Sequence, residues 1–319
     1  MKPIGVIFNP FAQTNRKGAV NQLDAIKKIL GSNALVRVTD SIDDVPIALR
    51  EFHKEGIKIL CISGGDGTIS YTISRYINLF GCEELPIIAP LRGGTMNMLS
   101  ADAGISGNQI AVCRKLIQSL EKDKIHTTER GLIRIIDSRF KHHNYGFCWL
   151  DGFPYKFIKH YYKEGATVST ALKLIFKTGI ISLTNMNHDL FQEVESRVYV
   201  DDRELPIRNH LFLVASTVKR LVFGFRIFFE EARAGEQFSM VYVTLAYFKK
   251  VRYQLPRALY IGLKPDESEN FLNQSTKSLR VEGNIGYIID GEIYETQEPV
   301  DIRLEVGPRV RIFSPRSIN

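Results

Sequence analysis

The sequence predicts two domains of different class, an α/β N-terminal domain built on a parallel sheet and an all-β antiparallel sandwich after it. In the first part of the chain, short apolar runs alternate with helical periodicity, which is typical of a parallel sheet covered on both faces. After about residue 124, many short strands separated by turns indicate a sandwich. The length of 319 residues also favours two domains. We place them at residues 1–125 and 126–306, with the tail at about 307–319 packing back on the first.

The most informative stretch is residues 57–71, with the sequence IKILCISGGDGTISY. Its nearly continuous apolar run predicts a strand buried on both faces. The three glycines that follow allow a sharp turn and the close approach of an anion to backbone amides. We expect a helix after them, with Thr68 as its cap, so that strand, turn and helix N-terminus form a phosphate cradle.

The other elements of the first domain follow from the same patterns. We expect strands at residues 3–8, 35–38 and 85–89, and helices at about 17–30 and 41–53. Loops at residues 9–13, 64–68 and 93–97 each follow a strand. The carboxyl ends of parallel strands meet at one edge of a sheet, so these three loops can surround one nucleotide. A plainer alternative for the last loop is a simple turn, with Thr95 capping the next helix.

In the second domain we expect strands at residues 132–136, 197–200, 211–215, 240–245, 259–263, 285–289, 302–306 and 310–313. Residues 264–273 are polar and predict an exposed loop. Asp290-Gly291 between two apolar runs predicts a tight hairpin turn. Such a turn can also present both nearby carboxylates outward, with Asp290 as a base and Glu292 holding a metal ion or a ribose.

The composition points to a cytosolic protein with an anionic partner. The formal net charge is +7 and the sequence pI is about 9.1, which favours a nucleotide, a nucleic acid or an anionic membrane surface. The cations are scattered and no nucleic-acid module is recognisable, so we expect no nucleic acid. The four cysteines form no CxxC pair and predict reduced thiols. We expect no signal peptide and no membrane-spanning segment.

Aromatic residues and lysines are interleaved in three stretches, at residues 153–183, 219–229 and 245–257. They are typical of a surface that docks on a membrane, with aromatic rings at headgroup level and cations on anionic lipid. The alternative is that the aromatic side chains pack the second core while the lysines are solvated.

Four motifs together resemble the diacylglycerol kinase catalytic family, which includes bacterial lipid kinases, sphingosine kinases and ceramide kinases and shares an ancestral fold with NAD kinases. They are Asn9-Pro10, GGDGT at residues 64–68, P-x-x-GGT-x-N at residues 90–97, and DGE at residues 290–292. They span nearly the whole chain in the order of the family. Two departures are Phe11-Ala12-Gln13 in place of x-Ser-Gly and Met98 where many members carry aspartate.

The resemblance implies a lipid kinase that binds ATP and Mg²⁺ in the cleft between the two domains. Asp290 corresponds to the proposed proton acceptor and Glu292 to its nucleotide or metal partner, while Asp66 is the rival base and lies near the phosphates and magnesium. The metal ligands implied are Asp66 and Glu292. The implied nucleotide-binding residues are Asn9, Pro10, Phe11, Ala12, Gln13, Thr39, Gly64, Gly65, Asp66, Gly67, Thr68, Ile69, Ser70, Gly94, Thr95 and Asn97.

The leading hypothesis is therefore an ATP-dependent lipid kinase that phosphorylates a diacylglycerol-like or other long-chain alcohol. The alternatives are an NAD kinase-like enzyme and a non-catalytic nucleotide or lipid sensor of the same fold. We expect a cytoplasmic protein associated peripherally with the membrane, where its lipid substrate lies, and we allow for a homodimer.

Overall fold

The computed structural model describes residues 3–16, 18–221, 224–229, 232–254, 268–295 and 297–315. The chain divides into two compact units. The first unit contains the residues up to Arg130 together with those from Arg309 onward, and the second contains Gly131–Pro308. The sequence-based division set these boundaries at 125/126 and 306/307.

The first unit is built on a parallel sheet, as the alternating pattern predicts. Its strands are β1 (Ile4–Phe8), β2 (Ala34–Val38), β3 (Ile59–Ser63) and β4 (Ile87–Pro90). β1 lies between β2 and β3, and β4 pairs with the other edge of β3. Ile312, near the end of the chain, pairs in parallel with Ile88 of β4. Every residue of β1 and β3 is buried, which is why both read as continuous apolar runs.

Helices connect and cover these strands. They are α1 (Ala19–Leu30), α2 (Asp44–Lys54), α3 (Asp66–Phe80), α4 (Met98–Asp102) and α5 (Gln109–Glu121). Two predicted caps are wrong. α3 begins two residues before Thr68 and has Gly65 as its N-cap, so Thr68 lies inside the first turn. The N-cap residue of α4 is Asn97 rather than Thr95, and its backbone is left-handed, with φ 47°.

The second unit is an antiparallel sandwich, as expected. Its strands are β5 (Thr127–Asp137), β6 (Asn144–Gly146), β7 (Cys148–Asp151), β8 (Val194–Val200), β9 (Arg203–Glu204), β10 (Asn209–His210), β11 (Phe212–Ser216), β12 (Phe238–Val243), β13 (Phe271–Thr276), β14 (Ser278–Gly283), β15 (Tyr287–Ile289), β16 (Glu292–Tyr294) and β17 (Val300–Phe313). One sheet has the order β13-β12-β11-β7-β15-β16, and the other contains β10-β8-β14-β17. One apolar core contains Trp149 and Met240 from the first sheet and Val198 and Ile302 from the second.

Several strand predictions need correction. Residues 302–306 and 310–313 are parts of one strand, β17, which crosses from the second unit into the first. The predicted strand at 240–245 ends at Val243, where a helix replaces it. The loop predicted at 264–273 overlaps β13 from Phe271 onward. The predicted strand at 259–263 and residues 264–267 lie outside the described residues.

The described part of the second unit also contains the α-helices α6 (Phe153–Lys163), α7 (Val168–Thr184) and α8 (Leu245–Val251). The aromatic side chains of α8, Tyr247 and Phe248, are buried in a second apolar cluster together with Phe191 and Phe271. For α8 the packing alternative therefore accounts for the aromatic residues. Within the described part of the chain, no helix has both the length and the apolar character needed to cross a membrane.

Candidate functional site

The three strand-end loops of the first unit come together, as the parallel sheet predicts. The side-chain amide of Asn9 donates to the hydroxyl oxygen of Thr68 over 3.2 Å. The backbone amide of Thr14 donates to the carbonyl of Gly93 over 3.0 Å, and the Thr14 hydroxyl donates to the carbonyl of Gly94 over 3.3 Å. We call this arrangement of residues 9–14, 64–68 and 93–97 the glycine-loop site.

Two glycine positions are required by the closeness of these loops. A Cβ atom on Gly93 would lie 2.7 Å from the backbone nitrogen of Gly64, and one on Gly94 would lie 2.5 Å from the Cα of Gly65. Both obstacles are backbone, so a side chain could be accommodated only by moving a loop. Glycine at these positions therefore gives two loops in direct backbone contact, with the start of α3 beside them.

The carboxylate of Asp66 joins two of the loops. One oxygen accepts the amide of Met98 over 2.8 Å and the other accepts the amide of Leu99 over 3.1 Å. These are the first two amides of α4, which have no partner within the helix. Asp66 thereby caps α4 in place of Thr95 and ties the loop at 93–97 to the N-terminus of α3.

Asp66 is half-buried, and its surroundings shift its acidity. Burial raises the pKa of this carboxyl above its ordinary value of 3.8, and the two amide hydrogen bonds oppose the shift only in part. The negative charge of this carboxylate is stabilised by the two amides at the N-terminus of α4.

A buried polar network lies beneath the site, and sequence reasoning missed it. The side-chain amide of Asn15, which is fully buried, donates to the carbonyl of Asn9 and to the hydroxyl of Ser63. Gln109 donates to Asn15 over 2.6 Å and accepts the Ser63 hydroxyl over 2.5 Å. Gln109 lies 94 positions from Asn15 in the chain, and only its unusual burial on α5 marks it.

The remaining predicted nucleotide residues divide into exposed and buried ones. Phe11 is exposed, and its amide donates to the side chain of Asn9 over 2.9 Å. The side chains of Ile69 and Ser70 are buried within α3, so they support the site from within the unit. Thr39 is buried, and its amide donates to the carbonyl of Phe8 at the end of β1. Asn97 closes its own loop by donating to the carbonyl of Gly94 over 2.6 Å.

The predicted Asp-Gly hairpin is confirmed in the second unit. Asp290 and Gly291 have φ values of 47° and 94°, as a type I′ turn requires, and Ile289 pairs with Glu292 across the turn. We call this turn with β15 and β16 the Asp-Gly hairpin. The expectation that both carboxylates point outward is wrong for Asp290, whose exposed fraction is 6%.

Asp290 fastens the hairpin to the neighbouring strand. Its carboxylate accepts the amide of Phe147 over 2.8 Å and the amide of Cys148 over 2.9 Å, and its own amide donates to the Cys148 carbonyl. Glu292, two residues on, is exposed at the start of β16. Desolvation raises the pKa of Glu292 above its ordinary value of 4.5. Asp290 is therefore the more buried residue of the two, although the carboxyl group of Glu292 is also partly shielded from water.

Metal ligands do not form a cage by themselves. In the parts of the chain that the structure describes, no group of three acidic, histidine or cysteine side chains could hold a metal ion.

Comparison with known families agrees with this geometry. Residues 3–128 match the family model of the diacylglycerol kinase catalytic domain. The matched region includes the whole glycine-loop site and is similar to a kinase catalytic domain. The matched family implies ATP as the phosphoryl donor. No curated protein sequence matches this chain.

Solved structures of similar fold cover nearly the whole chain. A protein assigned as a diacylglycerol kinase from Bacillus anthracis str. Sterne is 16% identical, with 98% of this chain and 97% of that chain covered and a TM-score of 0.69. Another diacylglycerol kinase structure from the same organism has the same identity and coverage and a TM-score of 0.62. Yeast NADH kinase complexed with NADH is 11% identical, with 99% and 84% covered and a TM-score of 0.50. At these sequence identities, the structural similarity shows the fold alone, which is an α/β unit and an antiparallel sandwich.

Proposed function

We propose that this protein is an ATP-dependent lipid kinase that transfers the γ-phosphoryl group of ATP to the hydroxyl of a diacylglycerol-like or other long-chain alcohol. The observation that carries the proposal is the glycine-loop site. Two glycine loops in backbone contact are locked to a helix N-terminus by Asp66, within the region that matches the diacylglycerol kinase catalytic domain. Exposed backbone amides and a positive helix end suit the phosphates of a nucleotide.

The chain's own residues then have distinct roles. The loops at 64–68 and 93–97 bind and orient the phosphates, so that the γ-phosphoryl group faces the attacking hydroxyl. In a loose phosphoryl-transfer transition state, a carboxylate mainly orients the nucleophile and accepts its proton late. Asp66 is the better candidate for this role because it is less buried than Asp290 and its pKa is raised. Asp290 supports the acceptor side by holding the Asp-Gly hairpin, with Glu292 exposed for contact with nucleotide or metal.

Magnesium belongs to the proposal as well. Asp66 would hold it, because each carboxylate oxygen has a lone pair beyond the one that accepts an amide. The family resemblance also implies Glu292 as a metal ligand, and that role stays a prediction. The ion would neutralise charge on the transferred phosphoryl group.

The test is transfer from γ-labelled ATP with Mg²⁺ to a total lipid extract in mixed micelles, with NAD offered as acceptor in a parallel reaction. We expect label in an organic-soluble product, and its mobility identifies the acceptor. Label in NADP alone would replace the proposal with an NAD kinase. Measurable ATP binding with no labelled product in either reaction would overturn the kinase assignment in favour of a sensor. Lipid extract without protein is the blank.

A further inference from the structure

Helix α7 exposes large apolar side chains, which a helix on a protein surface normally buries. Its most buried positions include two polar side chains, Thr178 and Ser182. Its exposed positions carry large apolar side chains, and Phe176 has an exposed fraction of 74%. The exposed apolar residues are Val168, Leu172, Phe176, Ile180 and Leu183. An ordinary surface helix turns its large apolar side chains toward the core, whereas α7 buries only Ala171 and Leu174 among its apolar residues.

These five residues form one continuous stripe. Their spacing of four, four, four and three positions keeps them on one side of a helix with 3.6 residues per turn. The stripe runs from Val168 to Leu183, so it extends over about 22 Å at about 1.5 Å per residue. Scattered exposed apolar residues need no explanation, but a continuous stripe of this length marks an interaction surface.

The charges beside the stripe indicate what covers it. Lys173 and Lys177 are exposed on α7, which has no acidic residue. The 3-10 turn Arg252–Gln254 packs against α7 and adds the exposed ring of Tyr253. α8, just before this turn, ends with two lysines. An apolar stripe flanked by cations and an aromatic ring matches the headgroup and acyl boundary of an anionic bilayer.

The stripe is also connected to the Asp-Gly hairpin. α6 packs against α7 in the same unit. From α6, the hydroxyl of Tyr162 donates to the carbonyl of Gly291 over 2.9 Å. α6 therefore contacts both the helix that carries the stripe and the hairpin that carries Asp290 and Glu292.

We propose that α7 is the membrane-docking element of this protein, which lies in the interface of an anionic bilayer with Phe176 and Ile180 inserted and Lys173 and Lys177 at the headgroups. This inference deepens the proposed function, because it names the surface from which a lipid acceptor is taken. It predicts binding to lipid whether or not nucleotide is present.

The experiment is co-sedimentation of the full chain with phosphatidylglycerol–phosphatidylcholine vesicles, without nucleotide, at low and high salt. We expect Phe176→Ser to weaken partitioning by about tenfold, since one large apolar side chain no longer enters the interface. Ile180→Ser should weaken it too, whereas the matched change Ile47→Ser, at an exposed isoleucine of α2, should not. Pure phosphatidylcholine vesicles and high salt should reduce binding of the wild type.

The outcomes separate this inference from the proposed function. Wild-type binding that Phe176→Ser and Ile47→Ser alter equally would overturn the role of α7. So would a wild-type dimer, measured by light scattering, that Phe176→Ser converts to a monomer while vesicle binding is unchanged. Transfer to a dispersed short-chain diacylglycerol without any vesicle binding would overturn the docking inference and leave the kinase assignment intact. Vesicle binding through α7 without transfer to any acceptor would overturn the kinase assignment and leave the docking inference intact.

Discussion

Asp66 in the first unit and Asp290 in the second are held in the same way but in different surroundings. Each carboxylate accepts two successive backbone amides, those at the start of α4 for Asp66 and those of Phe147 and Cys148 for Asp290. Asp66 is half-buried beside two glycine loops, whereas Asp290 is buried in a hairpin turn. The same pair of hydrogen bonds therefore holds a partly buried carboxylate between two loops in the first unit and a fully enclosed one within a hairpin in the second.

Removing the carboxylate of Asp66 should have the largest effect on phosphoryl transfer. Asp66→Ala should lower phosphoryl transfer by about a hundredfold or more, the range of a lost acid–base or orienting group. It should also weaken ATP binding, because the loop at 93–97 loses its attachment to α3. Transfer is measured with labelled ATP and nucleotide binding by calorimetry.

A matched control for this change is Asp24→Ala, at an exposed aspartate of α1 in the same unit. We expect this variant to retain both transfer and ATP binding. Asp66→Ala with unchanged ATP affinity would contradict the role of Asp66 in assembling the loops.

Asp290→Asn should act mainly on stability. An amide side chain offers one acceptor oxygen and places a donor against the other backbone amide, so Phe147 or Cys148 loses its partner. A buried donor left without an acceptor costs about 1–3 kcal/mol in the free energy of unfolding. ATP binding at the glycine-loop site should survive this change better than it survives Asp66→Ala.

The control on the same hairpin is Glu292→Gln, because Glu292 is exposed. Its effect on the free energy of unfolding should stay within about 0.5 kcal/mol, as for most surface substitutions. Urea denaturation of the two variants makes the comparison. If Asp290→Asn were as stable as wild type but inactive, Asp290 would be a direct participant in transfer rather than a support.

The elements that sequence patterns predicted well are those whose signal is local. The buried strands β1 and β3 read as continuous apolar runs, and the turn at Asp290 reads as Asp-Gly. The meeting of three loops at one sheet edge follows from parallel topology alone.

What could not be predicted depends on distant backbone groups. The amides that Asp66 binds are 32 and 33 positions away and carry no side-chain signature. Gly307-Pro308 reads as a turn between two strands, yet β17 continues through it. Glycine is needed at 307 because a Cβ there would lie 2.8 Å from the carbonyl oxygen of Leu132. The exposed stripe of α7 was also undecided, because composition does not tell which side of a helix faces solvent.

The smallest predicted effect is a difference between wild type and Asp66→Asn in how ATP affinity changes as pH decreases. The pKa of Asp66 is raised above 3.8 by burial, so this carboxylate takes up a proton at a higher pH than an ordinary aspartate. Its protonated oxygen then faces an amide donor and loses that hydrogen bond, which loosens the loops. ATP affinity should therefore fall severalfold as pH decreases, beginning above pH 3.8.

Unfolding does not account for such a loss, because a carboxyl with a raised pKa binds its proton more tightly in the folded state, and its contribution to stability increases as pH falls through that pKa. The measurement is ATP binding by calorimetry from pH 7 down to about pH 4, near the ordinary aspartate pKa, for wild type and for Asp66→Asn, whose side chain is neutral throughout. Protonation of ATP itself affects both proteins equally, so the difference between the two profiles isolates Asp66. Parallel profiles would show that the ionised carboxylate of Asp66 is not what holds the glycine loops together. Asp66 and Asp290 would then differ only in how far each side chain is exposed to solvent.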